Sequence, residues 1–113
     1  MSDITSGALT EAVYYILLSL IEPCNGYGIM QHVEKLSGGR VRLAAGTLYG
    51  AINSLLEKNW VRALDNSSDS RKKDYQITTL GLKALDLEIL RLKELYDNGM
   101  MILKEKSNEE NDL

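Results

Sequence analysis

The sequence predicts a mainly α fold of the α+β class. Two observations carry this prediction: apolar residues recur with the 3.6-residue period of a helix over most of the chain, and the period changes to two after Asn59, over residues 61–78. The helical pattern then returns from Thr79 to about Lys106, a stretch of about 40 Å at 1.5 Å per residue. We therefore expect several helices, one β-hairpin and a long final helix.

Length and composition restrict the domain count and the compartment. The chain has 113 residues, enough for one modest core. Its single cysteine, Cys24, excludes a disulfide framework within the chain and favours a reducing compartment. The longest nearly apolar run, residues 12–21, is about half of the roughly 20 residues that a membrane helix needs, and the first residues show no basic signal region. We expect a cytoplasmic protein without a membrane partner.

The chain is poor in the side chains that carry out chemistry. His32 is its only histidine, and no spacing of His, Cys, Asp or Glu matches a metal site. The sequence also lacks a phosphate-binding glycine loop and a nucleophile motif. Cys24 could serve as a nucleophile, but without a basic residue nearby in sequence it is more simply a small apolar side chain at a helix end. The sequence thus predicts a protein that is not an enzyme and that holds no metal and no cofactor.

Two short helices begin the predicted fold. The first, residues 8–21, is apolar on two sides and therefore has two packing partners. Residues 22–26 form a stop and a turn, because they contain a proline and an Asn-Gly pair. The second helix begins near Tyr27 and ends before the Ser-Gly-Gly run at residues 37–39. Residues 40–43 alternate polar and apolar side chains, which is typical of a short strand.

The third helix, residues 44–59, has two unlike faces. Its apolar stripe is formed by Leu48, Ile52, Leu55 and Leu56. Its opposite face carries Gly46, Gly50, Asn53 and Glu57. Glycine on an exposed helix face costs about 1 kcal/mol relative to alanine. Two glycines on this face therefore indicate that the helix backbone lies close to a partner.

The hairpin and the long helix complete the predicted fold. The period of two predicts strands over residues 61–65 and 73–78, joined by a turn over residues 66–71. In the long helix, apolar residues follow the 3-4 spacing of a helix seam, which Gly99 would complete. The seam consists of Leu82, Leu85, Ile89, Leu92, Tyr96 and Leu103. This seam implies another helix alongside, and apolar residues off the seam indicate contacts with both the chain's own body and a second subunit.

Charge is segregated along the chain. The formal net charge is −3, but residues 31–73 carry eight Lys and Arg against four Asp and Glu. The strongest basic cluster is Arg71, Lys72 and Lys73, at the second strand of the hairpin. On its own, such a run is commonly a solvated turn. Its position beside a helix with a small, polar outer face favours nucleic-acid binding instead.

The order helix, helix, short strand, helix and hairpin is that of a winged helix-turn-helix. Four segments of the chain fit this order: a first helix over residues 12–20, NGYGI at 25–29, GTLY at 46–49 with LLEKN at 55–59, and YQIT at 75–78 followed by Gly81. With these motifs, which together span nearly the whole chain, the sequence resembles the PadR family of bacterial transcriptional regulators, in the branch with a single C-terminal helix.

The resemblance implies a homodimeric repressor that binds a pseudo-palindromic operator in double-stranded DNA. It implies a winged helix-turn-helix domain with a two-stranded wing over residues 1–78, a dimerisation helix over 79–106 and a flexible acidic tail over 107–113. The recognition helix, residues 45–59, would enter the major groove, and the basic wing would touch phosphate or the minor groove. The implied DNA contacts are Tyr27, Ala45, Gly46, Thr47, Tyr49, Asn53, Arg71, Lys72 and Lys73. The implied dimerisation residues are Val13, Leu17, Leu85, Ile89, Leu92, Tyr96 and Leu103.

Several of these residues have a second interpretation. Tyr49 lies at the margin of the apolar stripe, so it could pack or touch DNA, and Tyr27 could pack in the turn before its helix. Asn53 could be a solvated helix residue, although Asn reads adenine well in the major groove. Thr78 would cap the long helix, and Trp60 would lie in the core or line a ligand cavity.

The sequence departs from the family at two places. Ala44 offers no side-chain N-cap for the third helix, which weakens the helix start by about 1 kcal/mol. Relatives that trap flat drugs between their paired last helices use tryptophan there, whereas this last helix has only Tyr96, which argues against multidrug binding. A small-molecule effector fits the family, but the sequence does not identify one. The alternative function is a winged-helix protein-interaction module without DNA binding, which the net acidic charge favours.

Overall fold

The computed structural model of the chain describes residues 7–64 and 72–112, with side chains up to residue 109. These residues form four helices and three short strands. In chain order they are α1 (Glu11–Ser19), β1 (Cys24–Asn25), α2 (Gly26–Leu36), α3 (Ala45–Glu57), β2 (Val61–Ala63), β3 (Asp74–Ile77) and α4 (Thr79–Asp112). The mainly helical winged helix-turn-helix fold predicted from the sequence is confirmed.

Polar side chains define where three of the helices begin. At the start of α1 and of α2, Thr10 Oγ1 and Asn25 Oδ1 each accept a hydrogen bond from the backbone N–H three residues further on, at 3.1 and 2.8 Å. Before α4, Thr78 Oγ1 accepts a hydrogen bond from the Gly81 N–H (3.1 Å) and donates one to the Asn59 carbonyl (2.6 Å). The predicted capping role of Thr78 is thus confirmed.

The three strands form one antiparallel sheet in the order β1-β3-β2. Val61 pairs with Ile77 and Ala63 with Tyr75, so β2 and β3 are the two strands of the predicted hairpin. On the other side of β3, Cys24 pairs with Tyr75. The sheet therefore joins the wing to the segment between α1 and α2.

The strand predicted over residues 40–43 is wrong. This segment connects α2 to α3 without joining the sheet. The backbone N–H of Val41 donates to Ser37 Oγ (2.9 Å), so a side chain takes the place of a strand partner. The edge of β3 that a third strand needs is occupied by Cys24 and Asn25, which lie in the segment that the sequence assigned to a turn.

Apolar side chains from all four helices and the sheet meet in one core. The helices α1, α2 and α3, together with the residue that caps the end of α1, contribute the fully buried residues Ile16, Leu17, Leu20, Ile29, Val33, Leu48 and Ile52. Trp60 is 4% exposed, which confirms its interpretation as a core residue, and a Cβ on Gly81 would overlap its backbone carbonyl. Leu17 and Leu85 are 0% and 4% exposed. Both are covered by the chain's own body, which corrects their assignment to the contact with a second subunit.

The helix α4 extends far beyond this body. It has 34 residues and is therefore about 50 Å long. Its inner face is buried as far as Glu88, and every side chain from Leu92 to residue 109 is exposed. The predicted helix end near Lys106 is wrong, since the helix continues to Asp112 through the residues assigned to a tail; residues 100–112 contain neither glycine nor proline to end it. Among the described helices, none combines the length and the apolar character of a membrane span.

Candidate nucleic-acid interface

The helix α3 presents one face to the core and the other to solvent. Leu48, Ile52 and Leu55 are buried, at 0%, 0% and 3% exposure. The opposite face is exposed and is small or polar, with Ala45, Gly46, Thr47, Gly50 and Asn53, and it ends at the acidic Glu57. A Cβ built on either glycine would meet no atom within 4 Å. The backbone of α3 is therefore open to close approach by a partner.

The amino end of α3 has backbone donors that no side chain caps. Ala44 occupies the N-cap position in an extended conformation and makes no side-chain hydrogen bond, as the sequence predicts. The first N–H groups of a helix lack intrahelical acceptors and carry the positive end of the helix dipole. Because residues 44–46 are alanine and glycine, little bulk separates these N–H groups from solvent. This end of the helix can accept an anionic group such as a phosphate.

Tyr49 packs between α3 and the start of α2. Its side chain is half-buried and belongs to the shell around the core. Its hydroxyl occupies the space that a Cβ on Gly26 would need, so glycine at that position makes room for the tyrosine. The pKa of the neighbouring Tyr75 is raised, first by burial and then by Tyr49. This geometry favours the packing interpretation of Tyr49 and explains why the Gly-Tyr-Gly and Gly-Thr-Leu-Tyr motifs occur together.

Tyr27 stands out from the first turn of α2. Its side chain is 65% exposed, and its hydroxyl accepts a hydrogen bond from Gln31 Nε2 (3.1 Å). The high exposure argues against the turn-packing interpretation. Gln31 was not a candidate from the sequence, although its position one helical turn after Tyr27 could have identified it. The two side chains place hydrogen-bonding groups at the exposed start of α2.

The hairpin carries the wing cations. Lys72 is exposed and Lys73 is half-buried, while Arg71 lies outside the described residues. Arg62 of β2 is exposed, and its Nη2 donates a hydrogen bond to Gln76 Oε1 on β3 (3.0 Å). Arg62 was not singled out from the sequence, although the alternation of a strand places it on the face opposite its buried neighbour. The wing thus carries cations on β2 and in the segment just before β3.

Further cations lie at both ends of α3. Arg42, just before the helix, has a 76% exposed side chain and pairs loosely with Glu34 (Nε to Oε2, 3.6 Å). Lys58, just after the helix, has its Nζ 4.9 Å from the ring centroid of Trp60. Both belong to the basic middle segment of the sequence. An anionic partner of α3 would therefore meet positive charge at each end of the helix.

From Ile89 onward, α4 exposes many large apolar side chains. Four of the predicted seam residues, Ile89, Leu92, Tyr96 and Leu103, are 43%, 38%, 67% and 63% exposed, while Val13 of α1 is half-buried. The exposed residues off the seam include Leu90, Leu95, Met100, Met101 and Ile102. Exposed apolar surface of this extent marks an interaction site.

Cys24 does not have the surroundings of a reactive thiol, and His32 makes a contact between two helices. Burial, followed by the nearby Asp74 carboxylate, raises the pKa of the Cys24 thiol, whereas a reactive thiol needs a lowered pKa. His32 Nδ1 lies 3.0 Å from Ser19 Oγ, which ties α2 to α1. The packing interpretation of Cys24 is the one that the structure favours.

A cavity of about 290 Å³ lies between α1 and α4. Its lining includes the rings of Tyr14 and Tyr15, the apolar side chains of Leu9 and Leu92, and an ion pair on α4. Trp60 is in the core and does not contribute to this lining. The volume lies at the lower end of the range for small-molecule sites.

Comparisons with known proteins agree with this geometry. The model of the transcriptional regulator PadR-like family matches residues 16–87. A PadR family transcriptional regulator from Eggerthella lenta DSM 2243 is 26% identical, with a TM-score of 0.65 and 80% of each chain covered. A transcriptional regulator from Clostridium thermocellum is 24% identical, with a TM-score of 0.65 and 92% of this chain and 95% of that chain covered. A PadR-like transcription factor from Bacteroides fragilis is 25% identical, with a TM-score of 0.62 and coverages of 80% and 87%. No curated protein matches the chain.

Proposed function

Because the chain belongs to the PadR-like family of transcriptional regulators, we propose that it is a homodimeric repressor that binds a specific operator in double-stranded DNA. The observation that carries this proposal is the outer face of α3. It is exposed and small or polar, and the buried Leu48, Ile52 and Leu55 on the opposite face hold it outward. The major groove of DNA admits one α-helix, and a helix face of this kind fits it.

The side chains of the outer face divide into two roles. Thr47 and Asn53 read bases, since an Asn amide can bond to adenine at two atoms and a Thr methyl can contact the methyl group of thymine. Ala45 and Gly46 let the helix enter the groove deeply. The free N–H groups at the start of α3 and the exposed hydroxyl of Tyr27 bond to phosphates, which positions the helix without reading sequence.

The wing supplies affinity rather than sequence choice. Lys72, Lys73 and Arg62, together with Arg71, contact phosphates or the minor groove. Each neutralised phosphate releases counterions, so the affinity falls steeply as the salt concentration rises. The acidic total charge of the chain does not oppose this, because the basic residues are concentrated in the segment that includes α3 and the wing.

A second copy of the chain covers the exposed part of α4. Ile89, Leu92, Tyr96 and Leu103 form the seam of this contact, and Val13 lies at its margin. The 3-4 spacing of these residues is that of paired helices. A symmetric dimer would present two α3 helices to half-sites about 34 Å apart, one turn of DNA. We expect the dimer to occur in a bacterial cytoplasm. We also expect a small molecule to release it from DNA, and the cavity between α1 and α4 is the first place to test for binding of that molecule.

The test is selection of binding sequences from random double-stranded DNA, followed by titration of the selected and a scrambled duplex at two salt concentrations. We expect preference for a pseudo-palindromic selected sequence and a log–log salt slope near −0.9 per neutralised phosphate. Thr47→Ala and Asn53→Ala should relax the sequence preference, because both side chains are exposed and outside the core. A dimer that binds neither duplex at low salt would instead support the protein-interaction module.

A further inference from the structure

A carboxylate lies buried between α1 and α4. Glu88 of α4 is 4% exposed, and its two oxygens accept hydrogen bonds from Arg91 at 2.8 and 2.7 Å. Leu9, just before α1, lines the same small cavity as Glu88, and its backbone helps to lower the pKa of this carboxyl. The Arg91 guanidinium, more than the Leu9 amide, holds the pKa of Glu88 below its ordinary value, so the group is charged at neutral pH. The amino end of α1 is therefore anchored to α4 by a charged group whose partners are in place.

The same turn of α1 is held from another direction. Glu11 accepts hydrogen bonds from both terminal nitrogens of Arg40, which lies in the connection between α2 and α3. The turn before Arg40 is defined by Gly38 and Gly39, which adopt positive φ angles of 64° and 85°. The Gly39 N–H closes this turn by donating to the carbonyl of Glu34 (2.8 Å). From Arg40 the chain runs directly into α3.

These contacts join α4, through one turn of α1, to the segment that leads into α3. We name them the α1 brace, formed by Leu9, Glu11, Arg40, Glu88 and Arg91. We propose that the α1 brace sets the angle between α3 and α4 and thereby the separation of the two recognition helices in the dimer. This inference rests on the proposed function, because the separation matters when two half-sites are bound at once. Glu11 and Arg40 are then positioning residues for DNA binding.

The ion pair between Glu11 and Arg40 is the exposed half of the brace, so its role in positioning can be tested without a large loss of stability. The side chains of Glu11 and Arg40 are 44% and 62% exposed, and an ion pair this exposed contributes little to stability. Glu11→Gln keeps the size of the side chain but removes the charge that holds Arg40, so the variant should fold. Removal of a negative charge should by itself strengthen binding to DNA. If the α1 brace positions α3, the same substitution should instead weaken binding to an operator with two half-sites.

The DNA experiment uses the operator that the wild-type protein selects. For Glu11→Gln we expect about threefold weaker binding to the full operator and no loss of affinity for a single half-site. We also expect the variant to discriminate less against operators whose spacer is one base pair longer or shorter. The reversed pair, Glu11→Arg with Arg40→Glu, should restore both the affinity and the spacing preference. Equal or tighter binding of Glu11→Gln to the full operator, with unchanged spacing preference, would overturn the inference.

Glu22→Gln is the matched control. Glu22 is exposed and lies outside the brace, and its substitution changes the net charge by the same amount. This control should bind the full operator at least as tightly as the wild-type protein. If it weakened binding as much as Glu11→Gln, the effect of the Glu11 substitution would not be specific to the brace, and the inference would fail.

A second measurement does not depend on DNA. Spin labels on Asn53→Cys in α3 and Glu94→Cys in α4, in a Cys24→Ser background, report the distance between the two helices. Dilution with unlabelled protein confines the signal to pairs within one protomer. We expect a narrow distance distribution that broadens in Glu11→Gln and narrows again in the reversed pair. An unchanged distribution overturns the brace even if the wild-type protein binds DNA. If the wild-type protein selects no operator, the proposed function is overturned. A broader distance distribution in Glu11→Gln would then still support the role of the α1 brace in setting the angle between α3 and α4.

Discussion

Replacing Gly50 by alanine should make the protein more stable and a poorer DNA binder. Gly50 lies in the middle of α3, is exposed, and offers open space to a Cβ, with no atom within 4 Å. Alanine is favoured over glycine inside a helix by about 1 kcal/mol, and no steric contact offsets this gain. We expect the free energy of unfolding to rise by about 1 kcal/mol, measured as a higher urea midpoint at an unchanged slope.

The same methyl group should weaken binding to the operator. In the proposed complex it would lie between the backbone of α3 and the bases, where an overpacked contact costs about 1–3 kcal/mol. The affinity for the selected operator should therefore fall by about tenfold, which corresponds to about 1.4 kcal/mol. Binding to scrambled DNA, which depends on phosphate contacts, should change less. Titration of both labelled duplexes at one salt concentration measures the difference.

Gly81→Ala is the matched control with the opposite effect on stability. A Cβ there would overlap the backbone carbonyl of Trp60, which cannot move without displacing the start of β2. We expect stability to fall by about 1–3 kcal/mol, because this overlap outweighs any gain in helix propensity. If Gly50→Ala stabilised the protein and left operator binding unchanged, the glycine would serve no close approach to DNA, and the reasoning about the outer face would be refuted.

Three further predictions concern the wing, the buried carboxylate and the dimer. Replacing Lys72 and Lys73 by alanine should weaken binding to all DNA sequences alike and reduce the magnitude of the log–log salt slope by up to about 1.8. Titrations across several salt concentrations measure this slope, and an unchanged slope would contradict the wing contacts. Because Arg91 lowers the pKa of Glu88 below 4.5, the stability from this group should be complete above that pH and lost as the pH falls through the lowered pKa. In urea denaturation between about pH 3 and pH 7, Glu88→Gln should show less of this acid sensitivity, and an equal loss in both proteins would exclude Glu88 as its source. Tyr96→Asp should dissociate the dimer, seen by sedimentation velocity with the helical circular dichroism retained, and a variant that stays dimeric would place the interface elsewhere.

The faces of the helices were predictable because they depend on spacing within one segment. Leu48, Ile52 and Leu55 fall on one stripe of α3 whatever covers them, and the structure buries all three. The pairing of strands depends on residues far apart in the chain. Alternation at residues 40–43 is compatible with a strand, but whether the edge of β3 pairs with that segment or with Cys24 and Asn25 is decided in three dimensions.

The same limit applies to the candidate site. Leu85 and Ile89 share the seam of α4, yet one is 4% and the other 43% exposed, because Leu85 lies on the inner face with Ala84 and Glu88, whereas Ile89 lies beside that face. Spacing identifies an apolar face without identifying what covers it. Gln31 and Arg62 were missed for a related reason. A single polar side chain on a short element makes no pattern, and its importance becomes visible only when its neighbours in the structure are known.

The edges of the small sheet bear on how this chain associates with others. β1 and β2 form the two edges and have only two and three residues. β1 directly follows Pro23, which has no N–H to donate, and the middle residue of β2 is the charged Arg62. Short length, proline and charge are the features by which natural proteins prevent edge-to-edge polymerisation. Among the described residues, the sheet therefore offers little backbone to an incoming strand, and β-type aggregation through these edges would require prior unfolding.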